Sequence, residues 1–178
     1  MTAKELIERY NAGERDFSGV ELKGVYLRNL EGTNLEGANL EGAYLRWTNL
    51  TGAVLKEANL KDADLTGANL KGADLTGANL GGANLRGIIL VCASLKGANL
   101  MGVDFEEANL WGANLEGANI TAGNLTKANL RVSNLKNSYL SDTIFEYADL
   151  SYANLTGAKA KRAHFDGANL TGVVGFEK

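Results

Sequence analysis

Few side chains in this sequence are of the kind that do chemistry. It has one His and one Cys in 178 residues. A Ser or Cys nucleophile needs a neighbouring base, and a structural zinc site needs several thiolates or imidazoles, so His164 in "KRAHF" and Cys92 in "GIILVCASL" each lack a partner set. His164 reads as a surface side chain and Cys92 as a small residue at a corner, buried or half-exposed. Asp104, Glu106 and Glu107 in "VDFEEANL" form an acidic cluster. Paired carboxylates do acid–base work when burial raises one pKa, and nothing around these three predicts burial, so the cluster reads as a solvated face. There is no phosphate-binding glycine loop. The expectation is a non-enzyme with no cofactor and no metal.

The elements that carry these residues follow from the spacing. From Leu30 to Leu170 an apolar residue falls on every fifth position, Leu except for Phe105, Ile120, Phe145, Ala160 and Phe165. Two positions earlier stands a small residue, usually Ala, with Ile88, Val103 and Val173 as the larger exceptions. Asn or Asp usually precedes the Leu; a polar residue and then very often Gly follow it. A period of five matches neither the 3.6 of a helix nor the 2 of a strand, so neither runs through it. One large and one small inward residue, then a Gly that accepts positive φ, describe a short extended step and a corner. Corners of one hand make a coil, and stacked coils pair their backbones about 4.8 Å apart.

Composition agrees with a repeat. The chain is 45% hydrophobic with a net charge of -3, which suits one folded domain, but 22 Gly and no Pro are unusual for an ordinary core. The start, "MTAKELIERY", lacks the basic and apolar segments of a signal peptide, and no apolar run approaches membrane-helix length. With a single Cys as well, the expected location is cytoplasmic.

The A(N/D)LxG units resemble those of the pentapeptide-repeat protein family over about Asp16 to Val174. The resemblance implies an all-β fold, a right-handed quadrilateral β-helix of about eight coils with four units per coil, so that residues twenty apart stack. Phe105, Phe145 and Phe165 then share one column, and Lys96 and Lys136 flank Glu116. The domain reading is 1–15 as a capping helix and linker, 16–174 as the β-helix and 175–178 as a tail. The opening "ELIERYNAGERDFSG" is similar to that of cyanobacterial members that begin with a short helix.

The ends depart from the repeat. Thr2 with Glu5 forms a capping box, Ala3, Leu6, Ile7 and Tyr10 share a helical face, and Gly13 can end the helix. Phe17, Leu22 and Leu27 keep the period of five in another phase, and the step to Leu30 drops two residues, which predicts an irregular corner. At the other end only "TGVVGFEK" follows Leu170. Val173, Val174 and Phe176 are the candidate dimer end, or else Phe176 folds over the last layer. Ala160 is the one central position reduced to Ala; Phe145 and Phe165 are expected to lean into the gap, which predicts that Leu at 160 overpacks.

Function is left to the surface. Ile89, Val91 and Cys92, then Trp111, then Arg131 and Val132, then Tyr152 form an outward apolar stripe four coils long, with a cation–π contact expected between Arg131 and Trp111. The same pattern also follows if β-branched and aromatic residues simply pair well between strands. The expectation is a noncatalytic module binding an unidentified protein partner. The alternative, implied by the family's quinolone-resistance members, is a DNA-mimicking modulator of gyrase. Duplex mimicry needs a dense single-sign field, and this chain mixes signs, with Lys159, Lys161 and Arg162 near its end. Direct nucleic-acid binding and membrane insertion are not expected. Leucine-rich and calcium-binding nonapeptide repeats do not match the unit.

Overall fold

The computed structural model describes residues 1–175. One helix, α1 (Ala3–Asn11), opens the chain. Thr2 is its N-cap: the Glu5 amide donates to Thr2 Oγ1 at 3.2 Å, and the Thr2 amide donates to Glu5 Oε2 at 2.6 Å. The box satisfies two of the amide groups that a helix start leaves free. Leu6 is fully buried and Ala3 and Tyr10 pack on the core, but Ile7 is exposed, so the apolar face is narrower than the sequence predicts.

After α1, residues 16–174 are coil stacked on coil. Isolated parallel bridges join residue i to i+20 from Asn29↔Asn49 through Asn154↔Val174. With a corner every five residues, twenty residues make a four-sided turn, and residues 16–174 make about eight coils. Among the described residues no strand is longer than one bridge, because a two-residue turn follows each short straight step. At about 4.8 Å per layer the rod is roughly 38 Å long.

The first coil is shorter. Asp16↔Asn34, Glu21↔Asn39 and Tyr26↔Tyr44 are eighteen apart, and the register becomes twenty at Asn29. The irregular corner therefore lies where the phase slip placed it, with Arg28 alone between Leu27 and the next bridge.

Each unit explains its own letters. The Leu and the small residue two before it are both buried along the rod, forming a dry interior. Where the small residue is hydroxylated, the backbone satisfies it: Thr33 Oγ1 donates to Leu30 O at 2.7 Å, Ser133 Oγ to Leu130 O at 2.7 Å, and Thr143 Oγ1 to Ile120 O at 2.8 Å. The Asn or Asp accepts with Oδ1 from the first amide of the following turn, as Asn34 does from Glu36 at 3.0 Å and Asp74 from Thr76 at 3.0 Å. Asn adds a donor that reaches back one coil, giving the ladder Asn99→Asn79→Asn59→Asn39 at 2.9, 3.3 and 3.2 Å. The residue before the small one has positive φ at every two-residue turn, and thirteen of these corners hold a residue other than Gly.

The two ends differ. Phe17, Leu22 and Leu27 of the first coil are buried beneath α1, whereas Ala160, Phe165 and Leu170 of the last are only half-buried. Phe145 and Phe165 stack face to face, 4.9 Å apart and 3° from parallel, continuing their column one layer up. Ala160 itself packs on the core but stays half-buried in this last coil. Half-burial of Ala160 argues against overpacking by a Leu at this position.

Candidate interaction surface

The corner after Leu90, Leu110, Leu130 and Leu150 carries the stripe. Amides of one coil donate to carbonyls of the next, Cys92 to Trp111 at 3.0 Å, Gly112 to Arg131 at 2.9 Å and Val132 to Ser151 at 3.0 Å, so the corners lie in register. Two columns result: Val91, Trp111, Arg131 and Ser151 at the first turn position, and Cys92, Gly112, Val132 and Tyr152 at the second. Ile89, Cys92, Trp111, Arg131, Val132 and Tyr152 are exposed, and Val91 is half-buried. Cys92 thus lies further out than expected. Ser151 is buried and interrupts the first column.

The arginine in this stripe faces a carboxylate. Arg131 Nη1 lies 3.6 Å from Asp149 Oδ2, and the ring contacts among the described residues do not include an Arg131–Trp111 pair. Burial pushes the Asp149 carboxyl up, but the hydrogen bond donated by the Ser151 amide and the Arg131 charge outweigh it and hold the group below its ordinary value. With the cation engaged sideways, the Trp111 indole remains an apolar surface.

Like Trp47 and Tyr147 elsewhere on the rod, Val132 and Tyr152 carry an energetic cost. Both occupy the left-handed region, φ 59° and 61°, and are 52% and 59% exposed. A β-branched residue there is strained, by about 1–2 kcal/mol relative to the right-handed region. A side chain at this position leans along the rod towards the next coil. Tyr152 lies over Gly172, where a Cβ would stand 2.6 Å from the ring, and Cys92 Sγ faces Gly112.

The remaining candidates are accounted for by ion pairs. Arg86 pairs with Glu106 and lies 3.5 Å from Asp104, while Lys127 lies 3.6 Å from Glu107, so the acidic cluster is three carboxylates on separate or shared cations rather than a coupled pair. Lys96 reaches Glu116 at 3.4 Å. His164 is exposed, and its carbonyl accepts from Phe145 at 2.7 Å. Among the described residues no group of three or more His, Cys, Asp or Glu is placed to hold a metal ion, and no helix is long and apolar enough to cross a membrane. At the candidate dimer end Val173 is half-buried, and Val174 is exposed while bridging Asn154. Phe176 lies outside the described residues.

The sequence reading passed over one cluster, Tyr26, Tyr44 and Trp47 beside the short corner, all exposed. The signal for it was present in the lost two residues, which place Tyr26 and Tyr44 eighteen apart and hence in contact.

A four-sided solenoid of five-residue units defines the class, and the sequence comparison agrees. The pentapeptide-repeats model matches residues 29–67, 68–106, 98–137 and 133–172, in eight copies. The chain belongs to the pentapeptide-repeat family, whose members fold as right-handed β-helices. Among solved structures it is similar to QnrB1, a plasmid-mediated fluoroquinolone resistance protein, at 22% identity over 90% of this chain and 84% of that one, with a TM-score of 0.62. It is also similar to AT2G44920 from the Arabidopsis thaliana thylakoid lumen, at 34% identity over 61% of this chain and 70% of that one, TM-score 0.52. With HetL of Nostoc sp. strain PCC 7120, a protein involved in heterocyst differentiation regulation, identity is 29% over 97% and 96% of the two chains, TM-score 0.42. The sequence matches no curated protein.

Proposed function

We propose that this chain is a noncatalytic interaction module whose rod presents the face of Ile89, Val91, Trp111, Arg131, Val132 and Tyr152 to a protein partner. The observation that carries this reading is that Val132 and Tyr152 are neighbours in one column: both hold a strained backbone and expose apolar surface, two costs that solvent does not repay, and here they fall side by side. An aromatic and aliphatic centre with an engaged arginine at its side is the composition of a binding hot spot. The half-buried last coil, with Val173 and the exposed Val174, supports a second contact, end-to-end pairing of two copies.

The QnrB1 likeness supports the fold. Ion pairs along the rod, Arg46 with Asp64, Arg86 with Glu106, Lys96 with Glu116 and Arg162 with Asp142, intersperse the two signs, where gyrase modulation by duplex mimicry calls for one. The test is affinity capture from an extract of the source cells with wild type, with Trp111→Glu/Tyr152→Glu, and with a charge change on the opposite side, Lys61→Glu. A partner retained by wild type and Lys61→Glu but lost by the double variant bears the reading out. Equal capture by all three contradicts it. Inhibition of gyrase supercoiling, or protection against ciprofloxacin, would favour the modulator instead.

A further inference from the structure

The short corner leaves a notch. Where later coils place two turn residues, the first coil has Arg28 alone, so Arg46 and Trp47 of the second coil overhang an empty step. A cleft of about 270 Å³ results, lined by Tyr26, Leu27, Arg28, Tyr44, Arg46 and Trp47. A second cleft of about 330 Å³ adjoins it, sharing Tyr26 and Arg28 and walled by Ile7, Tyr10 and Asn11 of α1 with Asn29. Their combined size is that of a small-molecule site.

The lining has a definite chemistry. Tyr26 and Tyr44 are stacked, 4.6 Å apart and 11° from parallel, which fixes them as one platform. Trp47 sits at φ 58°, with its ring over Gly67. Tyr26 and Trp47 are 72% and 73% exposed. Of the two guanidinium groups, Arg46 shares its charge with Asp64 at 3.7 Å, whereas Arg28 has no ion pair or side-chain hydrogen bond among the described residues. No carboxylate lines either cleft. Ring faces ask for a planar ring, and an uncompensated guanidinium beside them asks for an anion, phosphate above all.

We propose that this notch binds a free nucleoside monophosphate, its base against the Tyr26, Tyr44 and Trp47 rings and its phosphate on Arg28. The site is independent of the partner-binding face, which lies on later coils. Trp111→Phe leaves Trp47 as the sole indole, and its fluorescence is titrated with AMP, GMP, CMP and UMP. Saturable quenching by at least one mononucleotide below millimolar concentration is expected, with adenosine and inorganic phosphate each at least tenfold weaker. Arg28→Ala weakens binding at least tenfold with an unchanged melting temperature. Trp47→Gly, followed by calorimetry, relieves the strained corner and is expected to melt no lower than wild type while losing the ligand. Absence of saturation by all four mononucleotides overturns the proposal, as does binding that Arg28→Ala leaves intact. A pentanucleotide that binds where mononucleotides do not also overturns it, in favour of a nucleic-acid surface.

Discussion

Replacing Ala160 by Leu tests the column logic of the interior. The position below is Leu140 and those further down are Ile120, Leu100 and Leu80, all buried, so every earlier coil holds a large aliphatic residue at this point. Leu100 and Leu140 also stand one unit before a Phe, at 105 and 145, as position 160 does before Phe165. There is room for a Leu beside a Phe in this lattice. Leu adds three carbons to Ala, and full burial at about 0.8 kcal/mol per carbon gives roughly 2.4 kcal/mol. Ala160 is only half-buried in the last coil, which reduces the gain to about 1 kcal/mol. For a chain of this length that is a rise of about 2–4 °C in melting temperature, read by circular dichroism at micromolar protein. A fall in melting temperature would show that Phe165 already fills the space, and that the coils are not interchangeable.

Three further outcomes follow from the corners and the charges. Val132→Gly relieves about 1–2 kcal/mol of left-handed strain and gives back about 0.4–1 kcal/mol in unfolded-chain entropy, so urea unfolding should show a net gain of about 0.5–1 kcal/mol. Gly67→Ala and Gly52→Ala impose the same φ penalty, at 65° and 64°, but only the first meets a side chain, the Trp47 ring, so Gly67→Ala should melt lower and shift the tryptophan emission. The Arg162 guanidinium holds the Asp142 carboxyl below its ordinary value through a bidentate pair at 2.6 and 2.7 Å. A depressed folded pKa contributes stability that is complete above the unfolded value, about 4, and lost as pH falls through the lower folded one. Asp142→Asn should therefore melt slightly below wild type at neutral pH and coincide with it at about pH 2.

The fold was legible because each letter of the unit has one physical job. Leu and Ala fill a dry interior, Asn or Asp closes the turn amide, and Gly accepts the corner; the break in phase at Leu30 marked the irregular corner in advance. What the sequence hid is directional. A side chain in the left-handed corner points along the rod, so Trp47 over Gly67, Tyr147 over Gly167 and Tyr152 over Gly172 are pairs twenty apart that only coordinates reveal. The same blindness explains the Arg131 misreading: stacking on Trp111 and pairing with Asp149 fit the spacing equally well, and the ion pair is what forms. That Ala160 is half-buried was not legible, because an interior coil and the last coil look alike in a list of letters. The notch escaped notice because it is made by residues that are missing.

The central claim is that one face of the rod binds a protein partner, and site-resolved crosslinking tests it most directly. A benzophenone amino acid is placed at position 111, at 152 and, as a control, at 61, and each protein is irradiated in an extract of the source cells. The account predicts one shared adduct from 111 and 152, absent from 61 and abolished by Val132→Asp. The same adducts from all three positions, or none from 111 and 152, would contradict it.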